Sequence, residues 1–201
     1  MGELTGLDAV TFDAYGTLVE LVDPVPALQA ALAERGVGRG PEQVRAAFRA
    51  EVAYYRPRSL EGRDAETLAA LRRDCAGVFL REAGADLDPA EFAGPFVDAL
   101  AFRQVAGAVA AVERLAAHGL ALAVVSNWDV GLHEKLGPLA SRFQCVVTSA
   151  EAGAAKPDPT VFRLALGRLG VEPARALHVG DDQNDEEGAR AAGMRFRGAP
   201  L

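Results

Sequence analysis

In "VTFDAYGTLVE", Asp13 ends an apolar run and is followed by Gly16 and Thr17. Further along, "VVSNWD" brings Ser126 and Asn127, "KPDP" brings Lys156, and "VGDDQNDEEGARAAGM" brings Asp181, Asp182 and Asp185. A lysine and a hydroxyl facing several carboxylates make an odd set for a core and a good one for phosphoryl transfer. A carboxylate can attack phosphorus and form an acyl phosphate, which divides one difficult displacement into two easier ones. Two anions repel there unless a cation intervenes. Mg²⁺ takes oxygen ligands, commonly one or two carboxylates with substrate phosphate, so Asp13 and Asp181 with a main-chain carbonyl suit it. Lys156 and Ser126 then suit the non-bridging oxygens, by charge and by hydrogen bond.

These residues act together only if the fold collects them. Each cluster follows a short apolar run: "AVTFDAYGT", "LALAVVSNWD", "CVVTSAEAG" and "ALHVGDD". Such runs are expected to be buried parallel strands whose carboxyl ends open into loops. Between the later ones lie the helical patterns "DVGLHEKLGPLA", "DPTVFRLALGRLG" and "NDEEGARAAG". Alternating strand and helix predicts an α/β fold with a doubly wound, Rossmann-like parallel sheet. In such sheets ligands sit outside the carboxyl ends, near the point where strand order reverses. All four clusters should therefore face one crevice, with Thr17 and Asn127 placed to bind substrate.

Residues 21–101 break the rhythm, with apolar positions at helical spacing and Pro or Asp opening several segments. They are expected to form a helical insertion, leaving residues 1–20 and 102–201 as a discontinuous core. The many Glu and Arg of the helices are read as solvated faces.

At 201 residues the chain can bury one good core. Its net charge of -7 opposes a phosphate backbone or an anionic membrane as main partner. A small molecule is expected instead, bound by a monomer or homodimer. Cys75 and Cys145 stand far apart with no second cysteine at metal spacing, which suggests reduced thiols. With no basic-then-apolar leader and no long apolar run, the expected location is cytoplasmic.

The four motifs, "FDAYGTL", "VVSNWD", "KPDP" and "VGDDQNDEEGARAAGM", resemble in order those of the haloacid dehalogenase-like hydrolase superfamily, in the branch with a helical cap. The resemblance implies Asp13 as nucleophile, Ser126 as ligand of the transferred group and Lys156 as neutraliser of nucleophile and substrate. It makes Asp181 a metal ligand for Mg²⁺, together with Asp13 and the main-chain carbonyl of Tyr15, and gives Asp185 a supporting place. "SNWD" resembles a subgroup described as haloacid dehalogenase-like domain-containing hydrolases.

One position departs from the phosphatases of this superfamily. They carry a second aspartate, a general acid for the leaving group, where this chain has Tyr15. The superfamily's dehalogenases do read "DAYGT", and a halide leaves without a proton. Those dehalogenases are metal-free, however, and have serine where this chain has Asp181. A positioned acid is worth on the order of 10² to 10⁴ in rate, and a tyrosine with a reference pKa of about 10 is a weak substitute. The expected activity is therefore Mg²⁺-dependent hydrolysis of a small phosphorylated metabolite through an aspartyl phosphate. The alternatives are an L-2-haloacid dehalogenase using Asp13 and a phosphoryl-binding or regulatory protein with weak turnover.

Other residues have plainer readings. His118, His133 and His178 share no metal spacing, and His178 reads as structural. Asp182 reads as a helix cap or a solvated carboxylate. Trp128 either shields the crevice or packs. The group Tyr54, Tyr55, Arg56 and Arg58 reads as a solvated helix end ahead of a cover for an anion.

Overall fold

The computed structural model describes residues 5–199; the outermost residues of the expected core, 1–4 and 200–201, lie outside them. Five strands form one sheet in the order β5-β4-β1-β6-β7. They are β1 (Ala9–Phe12), β4 (Ala121–Ser126), β5 (Cys145–Thr148), β6 (Ala176–Gly180) and β7 (Arg195–Gly198). Every pairing is parallel. The central strand β1 reads AVTF and is buried throughout, as a parallel strand covered on both faces must be. The chain runs outward from β1 through β4 to β5, then crosses to β6 and β7 on the other side. Strand order thus reverses at β1, where a ligand crevice is expected.

Helices α5 (Ala108–Ala117), α8 (Thr160–Leu169) and α9 (Gln183–Ala191) lie between the strands, with short α6 (Leu132–Leu136) and α7 (Ser149–Ala152). Val125 and Val147 of the sheet pack with Val161, Phe162 and Ala165 of α8 and Ala189 of α9. The segment "DVGLHEKLGPLA" is not one helix. Pro138 pushes Gly137 out of the α region, so α6 stops at Leu136 and a 3₁₀ turn, Gly137–Arg142, follows.

The chain divides into two compact units, one running to Glu20 and resuming at Arg103, the other Leu21–Phe102. The second is helical: α1 (Val25–Ala33), α2 (Pro41–Tyr55), α3 (Ala65–Glu82) and α4 (Pro89–Asp98). The short strands β2 (Val19–Leu21) and β3 (Phe102–Gln104) pair with each other where the chain passes between units. Inside the helical unit Phe79 stacks on Phe92 at 6.0 Å and tilts against Phe96 at 5.2 Å. Asp64 caps α3 through a reciprocal box with Thr67. Arg58 lies over the Tyr54 ring at 4.0 Å and donates to the Tyr54 carbonyl, a local helix-end arrangement. No helix among the described residues is long and apolar enough to cross a membrane.

Glu51 is not on a solvated face. It is buried on α2 beside Val44 and Ala47, and its carboxyl accepts a hydrogen bond from Cys75 of α3. Burial raises the carboxyl from 4.5 to about 7, against a smaller lowering by the thiol. The folded chain therefore holds a proton that the unfolded chain has lost. Stability is greatest below the unfolded value and falls as the pH rises toward the folded one, by up to about 3 kcal/mol. Glu51→Gln should thus be neutral at pH near 4, below the unfolded value, and stabilising at pH near 8. Urea unfolding of both proteins across this range checks it; an equal difference at both ends would refute the assignment.

Candidate active site

The sheet register builds the site. Phe12 pairs with Val124 on one side and Val179 on the other, so the residues just beyond β1, β4 and β6 meet. Asp13 is the first residue past β1, and Ser126, ending β4, donates from Oγ to Asp13 Oδ1 at 3.0 Å. Lys156 comes from the loop after α7. Its Nζ donates to Asp13 Oδ1 at 2.5 Å, Asp185 Oδ1 at 2.5 Å and the Val125 carbonyl at 3.2 Å. All three of its protons are engaged, and all three side chains of this ion network are buried.

Asp185 has a second anchor. His178 on β6 lies opposite Thr11 in register, and its Nε2 is 2.9 Å from Asp185 Oδ1. Burial lowers the imidazole, which keeps it neutral. Asp185 accepts only, so Nε2 carries the proton, and the Thr11 hydroxyl donates to the bare Nδ1 at 2.8 Å. The other Asp185 oxygen accepts from the Asp182 main chain, while Asp182 caps α9 by accepting from the Asp185 N–H. Gly180 leaves the space for this packing: a Cβ there would stand 2.3 Å from Asp185 Cγ.

The electrostatics follow. Burial works against the charge of Lys156, but the carboxylates of Asp13 and Asp185 outweigh it and raise the ammonium. Burial would also raise Asp185; the His178 hydrogen bond and the Lys156 charge hold it below the usual carboxylate range. Asp181 is exposed at its surface but partly desolvated, and that with the negative charges of Asp13 and Asp185 pushes its carboxyl up. Asp13 and Asp185 thus share one lysine, and Asp181 adds a third carboxylate beside them.

Asp13, Asp181 and Asp185 each place one oxygen within 4.8 Å of the others, a donor set suited to a hard cation. Asp185 already accepts bonds on both oxygens, which leaves Asp13 and the exposed Asp181 as the carboxylates for an ion. The turn after β1 comes close to Asp181: a Cβ on Gly16 would stand 2.1 Å from its Oδ2. That turn is closed by bonds from Gly16 N to the Val19 carbonyl and from Leu18 and Val19 N to the Ala14 carbonyl. The Tyr15 carbonyl takes no part in them.

Asn127 and Thr17, the two residues expected to bind substrate, have these surroundings. Asn127 donates from Nδ2 to the Lys156 carbonyl at 3.0 Å and accepts the Lys156 N–H on Oδ1 at 2.7 Å. Both ends of its amide hold the lysine's main chain, so it positions Lys156. The Thr17 hydroxyl is buried without a hydrogen-bond partner among the described residues, in a small cavity lined also by Val105, Gly107 and Val179. None of Asp13, Ser126, Lys156 or Asp185 lines that cavity. The Tyr15 ring is exposed and packs on Trp128, with centroids 6.4 Å apart at 50°.

His178 is the member that sequence reasoning missed. The signal was a polar residue inside each of two apolar runs, Thr11 in "VTF" and His178 in "LHV". Nothing in the sequence said that those two strands are neighbours in register.

A family model described as haloacid dehalogenase-like hydrolase matches residues 7–193. The haloacid dehalogenase-like hydrolase domain-containing protein 3 of Mus musculus is 43% identical over 107 residues, covering 52% of this chain and 41% of that protein. The match thus spans less than half of that relative. Phosphoglycolate phosphatase of Rhodospirillum rubrum is 36% identical over 203 residues, covering 92% of this chain and 76% of that protein. Among solved structures, L-2-haloacid dehalogenase from Xanthobacter autotrophicus is 27% identical with a TM-score of 0.67, covering 94% of this chain and 76% of that one.

Proposed function

The chain belongs to the haloacid dehalogenase-like hydrolase family, and from that footing we propose a Mg²⁺-dependent phosphatase acting on a small phosphorylated metabolite. The observation that carries this reading is the Asp13 carboxylate, held by Ser126 and Lys156 and facing Asp181 across a set of oxygens suited to a cation. The helical segment 21–101 is assigned as the cap.

Asp13 attacks the phosphorus of the ester, and the bond from phosphorus to the alcohol oxygen breaks with its electron pair on that oxygen. The product is an aspartyl phosphate and an alkoxide, which takes a proton from water because position 15 offers a phenol in place of a carboxylic acid. Water then attacks phosphorus, releasing inorganic phosphate and returning the Asp13 carboxylate. Ser126 and Lys156 fix the attacking group and meet the oxygens of the transferred group, with the lysine held by Asp185 and Asn127. His178 holds Asp185 in turn. Asp13, Asp181 and the Tyr15 carbonyl would hold Mg²⁺, which supplies positive charge against the repulsion between nucleophile and phosphate.

Hydrolysis of p-nitrophenyl phosphate and acetyl phosphate, with Mg²⁺ or with EDTA, tests the reading. Turnover is expected with Mg²⁺, lost in EDTA and reduced to background in Asp13→Asn. No turnover of either compound would sink it. The second reading, an L-2-haloacid dehalogenase, is favoured by Tyr15 in the acid's place and by the likeness to the Xanthobacter enzyme. It requires halide release from 2-chloropropionate that survives both EDTA and Asp181→Ser.

A further inference from the structure

Tyr15 and Trp128 do nothing in the scheme above beyond the tyrosine's carbonyl, yet their rings are placed by the same elements as the chemistry. Tyr15 stands two residues after Asp13, and Trp128 two after Ser126, whose hydroxyl bonds Asp13. The Trp128 main chain is tied to the end of the neighbouring strand, its carbonyl accepting from Ala150 N and Ser149 Oγ, each at 3.2 Å. The two rings meet at 6.4 Å and 50°. Tyr15 is 47% exposed, in a chain where Phe12, Phe79, Phe92, Phe96 and Phe162 are fully buried. Leaving a large ring in water forgoes its burial, so a partner from solution has something to gain there.

On the phosphatase reading above, we infer that Tyr15 and Trp128 form a stacking platform for an aromatic leaving group, so that the preferred substrates are aryl phosphates. The chemistry of the leaving group agrees with the geometry. An aliphatic alkoxide needs a proton as it departs, and the residue that would deliver it is absent. An aryl oxide spreads its charge over the ring, its conjugate acid has a pKa of about 10, as for tyrosine itself, and it departs unprotonated far more readily. One substitution at position 15 thus removes the acid and supplies a face for the kind of leaving group that does not require one. Ring-on-ring stacking of this kind is worth roughly tenfold or more in affinity.

Trp128 is the chain's one tryptophan, so its emission reports directly on the platform. The experiment titrates the full chain, with Mg²⁺, with benzylphosphonate and with ethylphosphonate. In both a methylene replaces the ester oxygen and nothing can be hydrolysed. Benzylphosphonate should change the Trp128 emission and bind at least about tenfold more tightly, and Tyr15→Leu should remove most of that difference. Equal binding of the two phosphonates, or emission unmoved by the aromatic one, overturns the inference. Steady-state kinetics separates the two readings: the ratio of kcat/KM for phenyl phosphate over acetyl phosphate should fall at least about tenfold in Tyr15→Leu. Ring-selective phosphonate binding with no ester turned over would refute the phosphatase and leave the platform. Turnover without ring preference would do the reverse.

Discussion

Replacing Lys156 with methionine is expected to abolish measurable turnover and to destabilise the core by about 3–5 kcal/mol, the usual consequence of removing one member of a buried ion pair. Methionine nearly keeps the volume, so the loss is electrostatic. The lysine ammonium lies between Asp13 Oδ1 and Asp185 Oδ1, both at 2.5 Å, with side-chain exposures of 4%, 8% and 1% for the three residues. Without it two buried carboxylates face each other, and the Val125 carbonyl loses a donor. The catalytic loss adds to this, because one preorganised charge is worth about 10² to 10³ in rate. A double substitution divides the two effects. Lys156→Met with Asp13→Asn removes one of the stranded anions, so it should regain part of the stability while remaining inactive. Urea unfolding at neutral pH measures the first effect and ester hydrolysis the second. If Lys156→Met unfolded like the parent protein, the network drawn here would be wrong.

Gly16→Ala is expected to raise the Mg²⁺ concentration needed for half-maximal activity by about ten- to a hundredfold, the range for groups that orient a metal ligand. Two costs combine. Gly16 has φ of +82°, in the left-handed region, where a Cβ costs roughly 1–2 kcal/mol. The added carbon would also stand 2.1 Å from Asp181 Oδ2, far inside contact distance, so the carboxylate or the turn must move. Gly36→Ala is the control. Its φ is +78° but nothing lies within 4 Å of the added carbon. It should lower the melting temperature without altering the metal requirement. Equal metal dependence in both variants would mean that Gly16 is needed only for the turn, and that Asp181 is placed by something else.

Both experiments probe features of unequal visibility in the sequence. Asp13, Ser126, Lys156 and Asp181 were legible because each ends or follows a short apolar run. A run of that kind becomes a parallel strand, and the carboxyl ends of adjacent parallel strands converge whatever the details of packing. The helical insertion was legible for a similar reason, since apolar spacing along one segment is a local property. The single helix expected over "DVGLHEKLGPLA" was the local reading that failed, because one proline outweighed the periodicity around it.

The rest depended on which residues became neighbours. Thr11 and His178 are 167 positions apart and meet only through the register of β1 with β6. Asn127 is a polar residue at a strand end, a position equally suited to substrate or to main chain, until the Lys156 loop comes against it. Glu51 has the sequence surroundings of a solvated helix face, yet packing against α3 buries it beside Cys75. Residue type and periodicity therefore determined the chemistry on offer and the strands that present it. Tertiary structure decided which polar groups neutralise one another, because hydrogen bonds and ion pairs act over a few ångströms in space and are indifferent to distance along the chain.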